Sequence, residues 1–234
     1  MRSEEPAKRQ LRTRSGHALI GLVLIPLLPV LISGRLGWWQ VWVLAAVVIL
    51  SFLVSRAVAA RRNPGILAER ASYGRHENVQ PWDRWLSPLT AFGSAFILLA
   101  AGLEARFNGP AGFSFAVQVP GMALILFGYG LASYAFVENA FFSGTVRLQT
   151  ERGHHVISSG PYGWVRHPGY AGSLLASLGM PLWLDSAWSF LPAAAVAALI
   201  FLRTRLEDRF LQESLPGYRN YARKVRYRLL PGIW

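Results

Sequence analysis

Apolar residues gather into six long runs, Ala18–Ile32, Trp38–Val54, Trp85–Leu103, Val119–Phe142, Ala171–Leu184 and Ala187–Leu202, and polar residues collect between them. Several runs are shorter than the roughly 20 residues that cross a bilayer core upright. Flanking Arg and Trp side chains extend them, and local thinning absorbs the remainder. The fifth and sixth runs are separated only by Asp185 and Ser186, which predicts a tight helical hairpin. A membrane-spanning barrel would alternate apolar with polar residues, and these runs do not. The pattern therefore predicts an all-α, polytopic integral membrane helical bundle of about six transmembrane helices, forming a single membrane domain over 1–234.

The basic residues give that bundle an orientation. With both termini on one side, that side receives the N-terminal segment, the 55–84 loop, the 143–169 loop and the C-terminal tail. Of 24 Lys+Arg, only Arg35 and Arg106 then lie opposite, leaving 24 − 2 = 22 on the shared side. The positive-inside rule predicts that both the N- and C-termini are cytoplasmic.

Composition agrees with the membrane and narrows the partners. Hydrophobic residues make up 53% of the chain and charged residues 15%, where a soluble domain carries about a quarter charged. A net charge of +12 could suit nucleic acid, but that needs basic residues on one folded soluble face. Here they flank apolar runs, so the expected partners are membrane lipids and no nucleic acid. The absence of cysteine excludes disulfides, thiolate metal sites and a cysteine nucleophile. The basic N-terminus (Arg2, Lys8, Arg9, Arg12, Arg14) ahead of an apolar run also fits a signal peptide. Against it, the run ends Leu31-Ile32-Ser33-Gly34-Arg35 without a small-x-small cleavage pattern, and a second span follows at once.

Arg61-Arg62-Asn63-Pro64-Gly65 signals a turn, with a short interfacial helix over Ile66–Ser72. The nearly uncharged 105–118 loop is expected against the lipid headgroups. Gly128-Tyr129-Gly130-Leu131-Ala132-Ser133 is a near dinucleotide pattern inside an apolar run. Without a preceding strand it reads as a close helix–helix contact. Glu138 and Asn139 interrupt the fourth run near its cytoplasmic end, and an intramembrane carboxylate is a functional candidate unless it reaches headgroup water.

Polar density rises from Glu138 onward. Between the fourth and fifth runs lie Val146-Arg147-Leu148-Gln149, Arg152-Gly153-His154-His155-Val156 and Gly160-Pro161-Tyr162-Gly163-Trp164-Val165-Arg166-His167-Pro168-Gly169-Tyr170. Four glycines and two prolines make a continuous helix untenable here. Irregular backbone at a membrane boundary must satisfy its N–H and C=O groups with protein, water or ligand. Such a loop, interleaved with Tyr, Trp, His and Arg, suits a polar ligand with an aromatic base; it also suits a plain interfacial surface. Beyond the sixth run stand Arg203-Thr204-Arg205-Leu206-Glu207-Asp208 and Leu215-Pro216-Gly217-Tyr218-Arg219-Asn220-Tyr221, with Arg203 and Glu207 on one helical face. Alone, that segment would pass for a solvated amphipathic helix.

Together the two segments resemble the isoprenylcysteine carboxyl methyltransferase family of membrane methyltransferases. The motifs Gly-Pro-Tyr, Arg-His-Pro-x-Tyr, an acidic pair followed by Leu, and Gly-x-x-Tyr-x-x-Tyr occur in order between Asn139 and Trp234. Glu207-Asp208 stands where the family has two glutamates. The first four runs are too generic to assign. The resemblance implies that 1–138 holds the N-terminal transmembrane helices and 139–234 a methyltransferase core. It also implies S-adenosylmethionine as cofactor, held by Gln149, His154, His155, Val156, Ile157, Tyr162, His167, Pro168, Gly169, Tyr170 and Glu207, and no metal. Arg203 would contact substrate and Arg166 would sit at the substrate entrance, with the site on the cytoplasmic face.

The chemistry fits those residue types. Methyl transfer is an in-line displacement at a sulfonium carbon, helped mainly by orientation and electrostatics. Tyr162 and Tyr170 can hold the sulfonium by cation–π contact. Glu207 can accept from the cofactor's ammonium or ribose hydroxyls. Arg166 or Arg203 could orient a carboxylate, which is ionised at neutral pH and needs no general base. The resemblance implies a lipidic small molecule or a prenylated substrate as the acceptor. A phospholipid amine N-methyltransferase is the nearest alternative, and its amine would need a base, with His155 or Glu138 as the candidates. An NADPH-dependent membrane sterol or enone reductase would show Arg-His-x-Asn-Tyr and a later acid, which Arg166–Ser173 lacks. A non-catalytic membrane protein would spread polar residues through its spans, whereas here they gather at one face.

Overall fold

The computed structural model describes residues 20–73, 76 and 78–234. The basic N-terminal segment and the start of the first apolar run lie outside the described residues. Among the described residues every regular element is helical: α1 Ile20–Ser33, then α2 Trp39–Arg62, α3 Pro64–Ala71, α4 Asp83–Phe107, α5 Phe115–Glu138, α6 Pro168–Trp183, α7 Phe190–Ser214 and α8 Tyr218–Lys224. Two 3-10 turns, Thr150–Arg152 and Gly160–Gly163, interrupt the long segment between α5 and α6.

Helix boundaries follow from local chemistry. Pro64 takes the first position of α3, where its missing N–H costs nothing. It pushes Asn63 out of the helical region (φ −136, ψ 76) and so ends α2. The expected Ile66–Ser72 helix is therefore present, shifted to start at the proline. Asn63 Nδ2 donates to the Val137 carbonyl at 2.9 Å, tying this corner to the end of α5. Pro168 does the same for α6, holding His167 extended at φ −128 and ψ 62.

The sixth run behaves differently from its sequence bounds. Its helix starts at Phe190 and continues unbroken to Ser214, so Arg203, Glu207 and Asp208 belong to α7 rather than to a separate amphipathic helix. The α6–α7 connection spans 184–189 and is pinned by a buried carboxylate. Glu104 accepts from Ser186 Oγ at 2.5 Å and from the Trp188 N–H at 3.0 Å. The 105–118 loop is latched to the same connection, with the Phe113 N–H on Asp185 Oδ1 at 2.6 Å and the Ala111 N–H on the Asp185 carbonyl at 3.0 Å.

Glycines draw α5 and α6 together. A Cβ built on Gly172 would lie 2.4 Å from the Gly128 carbonyl oxygen, and one on Gly179 would lie 2.4 Å from that of Gly121. The two main chains are in contact, as small residues allow. Gly128 is thus the close contact expected from its sequence setting, whereas a Cβ built on Gly130 would meet no other element within 4 Å. The core on the inner faces joins Val41 and Leu44 of α2, Ile97 of α4, Ile125 of α5, Met180 of α6 and Ile200 of α7.

Among the described residues three helices, α2, α4 and α5, are long and apolar enough to cross a membrane. Helix α1 is a shorter apolar helix, α6 has 16 residues, and the second half of α7 is charged. Leu50, Leu53, Phe92, Phe96, Leu126 and Phe127 are exposed on α2, α4 and α5. Soluble monomers rarely show such apolar faces, and lipid accommodates them.

Candidate active site

A cavity of about 1360 Å³ opens inside the bundle. Leu22 and Ile25 of α1, Leu44 and Val48 of α2, Leu98 of α4 and Met180 of α6 give it an apolar end. Its polar end is walled by the 139–167 segment, by the start of α6, and by Arg203, Glu207, Tyr218 and Tyr221. Among the described residues no cluster of His, Asp or Glu could hold a metal ion.

Of the residues expected to hold the cofactor, Gln149, His154, His155, Val156, Ile157, Tyr162, His167, Gly169, Tyr170 and Glu207 all line this one cavity, as do Arg166 and Arg203. Pro168 does not line it. Its part is to start α6, which leaves the preceding Arg-His pair outside the helix. There, the Arg166 N–H donates to the Tyr227 carbonyl and the His167 N–H to that of Arg228, both at 2.9 Å. The C-terminal segment is thereby strapped across the front of α6.

Lining the cavity does not leave every polar group available to a ligand. Gln149 is buried, with Nε2 on the Phe141 carbonyl at 2.7 Å and Oε1 on Arg152. Its N–H points at His154 Nδ1, 3.3 Å away. Burial, reinforced by His155, Arg147 and Arg152, pushes His154 down to about 4. The ring is therefore neutral at physiological pH, as an acceptor must be. His154 and His155 also pack on the Phe141 ring, at centroid separations of 4.6 and 4.9 Å. The Tyr162 hydroxyl accepts from Asn139 Nδ2 at 3.1 Å and faces the Ala135 carbonyl. Burial raises this phenol above the ordinary tyrosine range. The aromatic faces and edges of these residues, more than their hydrogen-bonding atoms, shape the wall.

Glu207 keeps more capacity. It is half-buried and accepts from the Tyr170 hydroxyl at 2.5 Å, leaving its second carboxylate oxygen for a cationic or hydroxyl donor. Tyr170 is sandwiched, with the His167 ring stacked at 5.8 Å and the Arg203 guanidinium 5.2 Å from its centroid.

The two arginines are held by aspartates whose importance the sequence did not convey. Arg203 forms a bidentate pair with Asp83 at 2.7 and 3.0 Å, and also reaches Thr90 Oγ1 and the Gly144 carbonyl. Asp83 is completely buried and takes the Val146 N–H as well, at 2.6 Å. Arg166 pairs with Asp208 at 2.7 and 3.1 Å, and its Nη1 faces the carbonyls of Ala222, Val225 and Arg226. Asp208, also completely buried, receives Arg228, Gln212 and Tyr218 in addition. A third pair, Arg147–Glu69 at 2.7 Å, joins the loop to α3. The Glu207-Asp208 dipeptide thus divides its labour: Glu207 faces the cavity and Asp208 ties the C-terminal elements to the loop. Asp83 had one signal in the sequence, a carboxylate at the edge of an apolar run, which is costly unless paired. Glu138, the other carboxylate singled out from such a run, lies 3.6 Å from Arg62 at the helix end and does not line the cavity.

Comparison with known proteins agrees with the motif resemblance. Residues 117–216 match the family model for phospholipid methyltransferase. A probable protein-S-isoprenylcysteine O-methyltransferase of Oryza sativa is 26% identical over 189 residues, covering 80% of this chain and 93% of that protein. A lamin-B receptor of Drosophila melanogaster is 28% identical over 42% of this chain, and a delta(14)-sterol reductase of Mus musculus is 30% identical over 39%. The chain spans only 14% and 23% of the lengths of those two proteins. The chain is thus similar over its C-terminal half to the phospholipid methyltransferase model, and over most of its length to a probable isoprenylcysteine methyltransferase.

Proposed function

We propose that this protein methylates a lipidic acceptor with S-adenosylmethionine, most directly by O-methylation of a carboxylate, at the cytoplasmic face of a membrane. The observation that carries the reading is the single cavity joining the Tyr170–Glu207 end to an apolar wall. Its volume exceeds the upper end of about 1,000 Å³ for ordinary ligand pockets, which is room for a cofactor together with an acceptor. Glu207 would bind the cationic part of the cofactor, and the His154, His155 and Tyr162 walls would enclose its base. S-adenosylmethionine supplies a methyl group on a sulfonium for in-line displacement. The chain's own part is to orient the acceptor and exclude water. Arg203 lines the cavity beside Tyr170; Asp83, Thr90 and Gly144 take four of its N–H groups, which leaves the second N–H of Nη1 to hold one oxygen of a carboxylate. Arg166, committed to Asp208 and three carbonyls, acts by holding the loop and tail in place.

Titration calorimetry in detergent tests the reading directly. S-adenosylhomocysteine should bind and NADPH should not, and Glu207→Ala should weaken the former by about 1.5–3 kcal/mol as a charge-assisted hydrogen bond is lost. Binding of NADPH instead would favour the reductase reading that the murine relative raises. The phospholipid methyltransferase match keeps amine N-methylation as the second reading. Carboxylate turnover should persist as pH falls from about 8 to about 6, because that acceptor stays ionised. A steep loss over that interval, with His155→Ala inactive, would put the amine first.

The same proposal carries six spans with both termini in the cytoplasm, supported by the 22-to-2 division of basic residues. Reporter fusions at the C-terminus and in the 105–118 loop should then give opposite signals. Matching signals would exclude the arrangement.

A further inference from the structure

The cavity's charges do not balance. Arg147, Arg166 and Arg203 each have a carboxylate partner. Arg56 of α2 and Arg70 of α3 also line the cavity, yet among the described residues neither makes an ion pair or a hydrogen bond. Both are half-buried. What they touch is aromatic: Arg56 Cζ lies 3.2 Å from the Phe52 ring centroid and 5.5 Å from that of Phe136. Arg70 Cζ lies 5.9 Å from the Phe136 centroid and 5.8 Å from that of Phe142. The two guanidinium groups therefore flank one phenyl ring.

Cation–π contact recovers only part of what a charge loses on leaving water. Burial, and then the neighbouring Arg203, pull Arg70 below the usual guanidinium range. A site that keeps two such groups without an ion-pair partner is built for a counter-charge that arrives with a ligand.

Position says which ligand. A Cβ on Gly144 would sit 3.5 Å from Arg70 Nη1, and the Gly144 carbonyl already takes Arg203. Phe142 bridges from Arg70 to the start of α6, where a Cβ on Gly169 would meet its ring at 2.7 Å. Arg70 thus stands beside the Gly144–Arg203 corner of the polar end, Arg56 shares the Phe136 ring with it, and Glu207, also on the cavity lining, carries the opposite sign.

We propose that Arg56 and Arg70 form an anion subsite that receives the negatively charged headgroup of an amphiphile whose tail lies along α1 and α2. Identifying that amphiphile as the methyl acceptor rests on the proposed methyltransferase reading; the existence of the subsite does not. A carboxylate and a phosphate monoester share the required chemistry, and two probes separate them.

The test is equilibrium binding of labelled oleate, 1-oleoyl-lysophosphatidate and the neutral monoolein to the full chain in a non-ionic detergent. At least one anionic probe should bind the wild type, and Arg56→Gln/Arg70→Gln should weaken it by about tenfold or more, the loss expected of hydrogen bonds to charged groups. Each single substitution should lose part of that factor. Monoolein affinity, and anion binding to an exposed-site Arg61→Gln control, should not change. S-adenosylhomocysteine affinity is measured alongside and should be the same in all variants. Anion affinity that survives both substitutions, or falls no more than that of monoolein, overturns the subsite. Anionic binding that depends on the arginines in a protein that ignores S-adenosylhomocysteine would keep the subsite and remove the methyltransferase reading. Lysine at both positions should restore most of the affinity and shows that a loss in the glutamine variants reflects charge rather than misfolding.

Discussion

Asp208→Asn should destabilise the detergent-solubilised protein by about 3–5 kcal/mol, the cost of removing one partner from a buried ion pair. The side chain is fully buried and serves Arg166, Arg228, Gln212 and Tyr218 at once. Asparagine keeps the shape and one acceptor but leaves two guanidinium groups facing a neutral amide. Because Arg166 also collects the carbonyls of Ala222, Val225 and Arg226, the damage should spread along the chain. Limited proteolysis should cut the 215–234 segment faster in the variant, and the thermal midpoint should fall by on the order of 10 °C. A midpoint within about 1 °C of wild type would show that the network contributes little.

Asp83→Leu should be comparably severe, again about 3–5 kcal/mol, because it strands Arg203 in the bundle and frees the Val146 N–H. Here a second substitution separates structure from function. Buried ion pairs replaced on both sides by apolar residues are often neutral in stability. Asp83→Leu combined with Arg203→Met should therefore recover much of the thermal midpoint while turnover stays lost. Recovery of both would remove Arg203 from the chemistry, and recovery of neither would show that the pair is needed to close α4 onto α7.

Much of this was legible in the chain. Apolar runs mark the helices because a bilayer demands self-satisfied backbone over a fixed length, whereas the pattern puts two helix starts at Ile66 and Ala171 and they lie at the prolines ahead of them, Pro64 and Pro168. Ten of the residues expected around a cofactor line one cavity because their motif brackets a single loop and its flanking helices. What could not be read was pairing across distance. Asp83 is 120 residues from Arg203, and although its place at the edge of an apolar run hints that it needs a partner, nothing local says which. Glu69 and Arg147 are 78 residues apart and equally silent. Arg56 and Arg70 read as two of many positive-inside charges until the structure turned them inward. The length of α7 was missed because its charge pattern changes at Arg203 while its helical geometry does not.

The glycine seam between α5 and α6 gives the cavity two walls of different stiffness. Main chains that already touch at Gly128 and Gly172, and again at Gly121 and Gly179, cannot close further or roll without driving a carbonyl into neighbouring backbone. The wall that carries His167, Gly169 and Tyr170 is consequently fixed in shape. Across the cavity, Ile25 of α1 and Leu44 and Val48 of α2 meet the space through aliphatic side chains rather than touching main chains. Such a pocket is strict about what sits at its polar end and tolerant of the length and branching of what trails from it.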